Sequence, residues 1–372
     1  MSFDLEKLAD EGSKSSGTCI EGFRGSSKGL FLAELAKKNP NSQILAITRS
    51  DESALTLADD CKFFMRISEK SRVRIYPSSE ITPYSRISPE PELWAERIAV
   101  QSSLLSKEPA IVIASSDAII RRIPPKSFIE RGSFLIENGK PLNFDALLKY
   151  LSDFGYDDVG LVEEMGCFAK RGGIIDVWSP TLNEPLRIEL DSDIVISIRP
   201  FNPASQRSKG SSETLKFAEL LPVSEIPFDE KSRSLAAHRV RDRSDTPLTP
   251  GEKRALIESI HEGIAFSGIE NLTPLFHKET ATVFDYLAAD AKVVIFDSGE
   301  VESSIEAFSK NVSELYHESL SSERIVAPEE ILINSEDFFK NARRFHRFSP
   351  DLSKKESERR HLSSQPSKET PI

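Results

Sequence analysis

Cysteine is scarce in this 372-residue chain: Cys19, Cys61 and Cys167 are few, widely spaced and odd in number. That excludes a disulfide framework and a CxxC metal knuckle, and leaves the three to be read as small buried hydrophobes. Long apolar runs are missing too. Ala110–Ala114 and Val293–Phe296 are strand-sized, whereas a bilayer span needs roughly 20 apolar residues, so no membrane association is expected. Positive charge is in deficit: 48 Lys and Arg stand against 59 Asp and Glu, giving a net charge of −11 and a pI near 5.3. This opposes sequence-independent duplex binding, which depends on a basic surface. The six histidines show no HxxxH spacing, so neither a metal site nor a cofactor is expected. The opening residues carry Asp4, Glu6, Asp10 and Glu11 where a secretory signal needs a basic and then an apolar stretch, which gives the expectation of a cytoplasmic protein. There is no G-x-S-x-G elbow, and no carboxylate pair sits in a recognisable glycosidase or protease context.

What is present is an ordinary globular composition, 38% hydrophobic and 29% charged, with room for two or three domains. Residues 1–127 alternate strand-like runs (Gln43–Thr48, Arg72–Tyr76, Ala110–Ala114) with amphipathic stretches (Gly29–Lys38, Glu52–Phe63, Pro91–Leu105), which predicts βαβ units and a parallel sheet. Residues 128–221 change texture. Short β-rich runs at Ser133–Glu137, Cys167–Arg171, Ile174–Trp178, Leu186–Leu190 and Ile194–Arg199, with one helix at Asn143–Phe154, predict a smaller α+β domain. Residues 222–345 return to helix and loop with one buried strand, Lys292–Asp297, and a helix near Gly299–Val312, expected to complete the first domain. Residues 346–372 are polar and are expected to be a linker or disordered tail.

Two constellations carry chemistry. The segment Glu21–Gly29 sits where a phosphate loop would, ahead of a helix. Laid on G-x-x-x-x-G-K-[ST] it keeps Gly22 and Lys28 but has Ser27 for the second glycine and Gly29 for the hydroxyl residue. Gly29 offers nothing to Mg²⁺, so ATP turnover is not expected. In the second constellation, strand alternation puts Arg187 and Glu189 on one face and Ile188 with Leu190 on the other. The charged face is either a docking surface or a solvated sheet face with incidental ion pairs, worth little energetically. Spacing alone leaves both open.

Phe168, Arg171-Gly172, Ile174-Ile175-Asp176-Val177-Trp178, Arg187-Ile188-Glu189 and Gln206-Arg207-Ser208 follow one another in the order and spacing of a known pattern. With Glu80–Tyr84, Ser88-Pro89 and Arg97 upstream, and Gly268–Glu270, Pro274–Phe276 and Phe284–Leu287 downstream, the chain from about Leu30 to Phe345 resembles the family formed by UvrB and the bacterial transcription-repair coupling factors (Mfd). The altered phosphate loop and the short Tyr84–Trp94 connection, where UvrB inserts a long DNA-clamping hairpin, place the likeness on the coupling-factor side. The resemblance implies a degenerate RecA- or P-loop-like parallel-sheet domain interrupted by a smaller α+β UvrA-binding domain. It further implies a UvrA-recruiting adaptor in nucleotide excision repair, with Arg171, Arg187 and Glu189 as polar contacts to UvrA. Phe168 and Gly172 would set the strand and edge geometry. RNA polymerase and DNA would be contacted only through family regions, among them a two-lobed translocase, that are not in this chain. Two departures stand out: Asp157-Asp158 where relatives carry arginine, and Ala169 where UvrB carries one. The alternatives are a UvrB-type ATP-dependent repair enzyme and a degenerate structural remnant.

Overall fold

The computed structural model describes residues 18–351, apart from 22, 24, 67–71, 80, 85–88, 211–213, 245, 264–265 and 320–324. The chain opens with β1 (Thr18–Glu21), α1 (Ser27–Lys38), β2 (Ile44–Thr48), α2 (Asp51–Phe64), β3 (Val73–Tyr76), α3 (Pro91–Leu105), β4 (Ile111–Ser115) and α4 (Lys126–Gly132). The helices begin where the local chemistry says they should. The Ser50 side chain accepts from the Ser53 amide at the head of α2, and Pro91, which has no amide to satisfy, occupies the first turn of α3. A second set of elements follows: β5 (Phe134–Glu137), α5 (Phe144–Asp153), β6 (Asp157–Asp158), β7 (Cys167–Arg171), β8 (Ile174–Val177), β9 (Leu186–Asp191), β10 (Ile194–Pro200) and β11 (Phe217–Leu220). The last third contributes α6 (Glu230–Asp242), α7 (Pro250–Glu262), β12 (Lys292–Ile295), α8 (Ser298–Glu318), α9 (Ser335–Ala342) and β13 (His346–Asp351), with short helical turns between them.

Six strands form one parallel sheet in the order β1-β13-β12-β2-β4-β3, so the first and last thirds of the chain build one domain. Its central strands are buried along their whole length because alternate side chains feed two cores. Ile44, Ala46, Ile111, Ile113 and Val294 pack against α1 and α2 on one face. Leu45, Ile47, Val112, Ala114, Val293 and Ile295 pack against α3 and the helices of the last third on the other. At 346 the chain does not pass into linker as expected: His346–Asp351 enters the sheet between β1 and β12. Residues 352–372, the rest of the expected tail, lie outside the described residues.

The inserted domain has its own core. A five-stranded sheet, β10-β9-β8-β7-β6, buries Phe168, Ile175, Val177, Leu186 and Ile188 against Leu147 and Leu151 of α5. The β5–β11 ribbon pairs Phe134 with Leu220, which brings the entry and exit of the domain side by side and lets it interrupt the first domain without breaking its sheet. A buried ion pair ties the two together. Arg97 of α3 donates from Nε to Glu225 Oε1 (3.2 Å) in the segment leaving the insert, and Gln101 Nε2 donates to the same oxygen (2.9 Å).

Candidate functional site

The polar face of the five-stranded sheet is built by register. β8 and β9 run antiparallel with Asp176 opposite Arg187 and Ile174 opposite Glu189; β10 places Arg199 opposite Arg187 and Ser197 opposite Glu189. Each pair falls on the face away from α5, because Val177, Leu186, Ile188 and Ile198 occupy the other. Arg187 is consumed inside the domain. Its Nε and Nη2 each donate to Asp176 at 2.7 Å, Nη1 donates to the Gln206 carbonyl (3.2 Å) and to Ser208 Oγ (3.3 Å), and the guanidinium lies 4.8 Å from the Phe201 ring centre. The Asp176 side chain is only 3% exposed and that of Arg187 17%. Hydrogen bonding to Asp176 raises the Arg187 pKa further above its ordinary value, against the opposing effect of burial.

Glu189 is half-buried and accepts from Arg199 Nη2 at 2.6 Å. Arg171, at the tip of β7, is exposed and donates to the Gly160 carbonyl (2.7 Å), with no ion pair among the described residues. Arg171, Arg187 and Glu189 thus share a sheet, and of the three Arg171 has no ion-pair partner among the described residues. Phe168 points to the opposite face and is buried in the domain core, so it shapes the strand and makes no surface contact. Gly172 and Gly173 turn β7 into β8. Gly172 has φ +58°, a left-handed conformation that favours glycine. A Cβ on Gly173 would stand 2.8 Å from the Leu190 carbonyl oxygen.

The substituted positions also have places. Asp158 pairs with Lys170 at 2.9 Å on the exposed edge. Ala169 is buried against Val162 and Phe201, which occupy the space an arginine would need. Sequence reasoning missed Asp176 and Arg199 as partners. The signal was available in the acidic residue of Ile174–Trp178, but its pairing depends on a register that spacing does not give.

The other constellation lies in the first domain. Lys28, in the first turn of α1, forms an ion pair with Asp297 at the head of α8, and its ammonium lies 5.6 Å from the Phe296 ring centre. Gly29 is where α1 meets α2: a Cβ there would stand 2.5 Å from Asp60 Cβ and 2.7 Å from the Cys61 nitrogen. Gly22, the other residue of the expected degenerate phosphate loop, lies outside the described residues. Among the described residues no group of three His, Cys, Asp or Glu is arranged to hold a metal, and no helix is long and apolar enough to cross a membrane.

Residues 134–225, from the first residue of β5 to the Glu225 that pairs with Arg97, match the model of the UvrB interaction domain. The molecule is therefore a parallel-sheet α/β domain carrying an inserted domain that is similar to the UvrB interaction domain.

Over most of its length the chain is similar to transcription-repair-coupling factors. It is 31% identical to that of Myxococcus xanthus over 291 residues, 74% of this chain and 24% of the relative. It is 26% identical to that of Haemophilus influenzae over 326 residues (86% and 27%) and 27% identical to that of Bacillus subtilis over 318 residues (82% and 26%). The chain spans about a quarter of the length of these relatives.

Proposed function

We propose that this chain is a UvrA-recruiting adaptor module acting in transcription-coupled nucleotide excision repair, without ATPase activity of its own. The observation that carries the reading is the coincidence of the UvrB interaction domain match at 134–225 with a separately cored domain whose polar face is prebuilt. The Asp176–Arg187 clamp and the Glu189–Arg199 pair hold that face rigid, and Arg171 stands free at its edge as the primary contact. A planar guanidinium suits a partner carboxylate because two parallel hydrogen bonds orient as well as attract. In this reading Arg187 and Glu189, named from the resemblance as contacts, act mainly by holding the surface in shape.

The first domain is a scaffold. The geometry at Gly29 speaks against nucleotide turnover, because the side chain that would carry a magnesium-binding hydroxyl has no room beside α2. Lys28 already has a carboxylate partner where a phosphate would otherwise draw it. A UvrB-type ATP-dependent enzyme would need both groups free. Contacts with RNA polymerase and DNA fall to family regions outside this chain, and the setting is the cytoplasm. Calorimetric titration of the chain with UvrA, beside titration with a fluorescent ATP analogue and Mg²⁺, tests both halves: saturable heat with UvrA and no response to nucleotide are expected. Silence with UvrA defeats the adaptor reading, and tight nucleotide binding defeats the scaffold reading.

A further inference from the structure

The seam between the two domains holds a cavity of about 320 Å³, at the lower end of the size range of ligand sites and in a place where such sites are common. Its floor is apolar, with Val223, Ile226 and Ile269 all buried. Its walls are the half-buried rings of Trp94, Phe228 and Phe266 with the adaptable side chain of Met165. The charged side chains among its described lining residues have one sign. Asp157, Glu164, Glu225 and Glu270 line the cavity, and among the described residues no Lys, Arg or His does. Glu225 is engaged by Arg97, but Asp157 and Glu164 are exposed and take part in no ion pair among the described residues. Glu92 adds to the same field. After burial, it is the negative charge of Asp157, Glu164 and Glu92 that pushes the Cys167 thiol on the cavity wall up to about 11.

An apolar, aromatic cleft rewards an apolar anchor, and the exposed carboxylates of Asp157 and Glu164 at its rim reward flanking cations while repelling phosphates. Four chain segments, from both domains, line the cavity, so an occupant touches both. We propose that this groove docks a short segment of a partner protein in which an apolar anchor residue is flanked by Lys or Arg. Asp157 belongs to the Asp157-Asp158 pair that stands where an arginine was expected, so the acidic rim is a feature of this chain. The inference stands apart from UvrA docking, which uses the polar sheet face.

The groove offers its own reporter, because the chain has two tryptophans and Trp94 lines the cavity while Trp178 does not. The full chain carrying Trp178→Phe would be titrated with a synthetic peptide bearing a Leu-Phe-Leu centre between paired lysines. Control peptides would carry glutamate for lysine or alanine for the apolar centre. The expected result is a saturable change in Trp94 emission with the basic peptide only, weakened by salt. Asp157→Lys with Glu164→Lys, both at exposed positions, should weaken binding at least tenfold, and Asp157→Asn with Glu164→Gln by an intermediate factor. A glutamate peptide that binds as well, no saturable change with the basic peptide, or unchanged affinity in both rim variants while the chain stays folded would overturn the proposal.

Discussion

Arg187→Ala separates a structural clamp from a partner contact. The substitution leaves Asp176, 3% exposed and bonded at 2.7 Å through both oxygens, as a buried carboxylate without its cation. Removing one member of a buried pair costs about 3–5 kcal/mol, and loss of the guanidinium over Phe201 adds about 0.5–1 kcal/mol. The assay is urea unfolding of the chain carrying Trp94→Phe, so that Trp178, the residue that follows β8, reports the inserted domain alone. With a urea slope of roughly 1–3 kcal/mol per molar, the midpoint for that domain should fall by about 2 M. Adding Asp176→Ala should recover part of the loss, because the stranded carboxylate is then gone. A midpoint within experimental scatter of the parent would refute the reasoning and return Arg187 to the surface as a free contact.

Three further outcomes follow from the same geometry. His277 is buried, with Nε2 bonded to the Glu225 carbonyl, and burial depresses its pKa from 6.5 to about 4. Below the unfolded value the unfolded chain takes up a proton that the folded one refuses. Stability is therefore full above pH 6.5 and falls as pH drops toward 4, by about 3 kcal/mol for this group, and a melting-temperature profile of His277→Gln should lack that slope. Gly29→Ser should destabilise the first domain by about 1–3 kcal/mol or more through the clash with Asp60, seen as a lower melting temperature, and should confer no response to ATP. At the β7–β8 turn, Gly172→Ala should cost about 1 kcal/mol for its left-handed backbone. Gly173→Ala should cost more, because the new methyl meets the Leu190 carbonyl while Leu190 donates to Gly173; equal midpoints in urea would contradict this.

Elements whose signal is local were legible in the sequence, and those defined by a distant partner were not. Pro91–Leu105 is a helix with the bounds expected, because a proline in the first turn and an apolar face both lie within it. Ile111–Ser115 follows from an apolar run buried on both sides. By contrast β13 is polar and contains Pro350, and its extended state comes from parallel pairing with β1 and β12, hundreds of residues away for the former. α8 runs to Glu318, past the expected end at Val312: Leu315 and Tyr316 carry the apolar spacing on from Val312, and Tyr316 packs against the main core. At the site, alternation placed Arg187 and Glu189 on one face. It could not show that Asp176, eleven residues earlier, stands opposite Arg187 and takes both of its bonds.

The most direct test of the adaptor reading is calorimetric titration of the folded chain with UvrA from the same cell, run in parallel on Arg171→Ala. Saturable binding that this exposed substitution weakens by about 2–5 kcal/mol, with the urea midpoint of the inserted domain unchanged, is the predicted result. A folded chain that gives no heat with UvrA, or one that binds equally well without Arg171, would contradict the account.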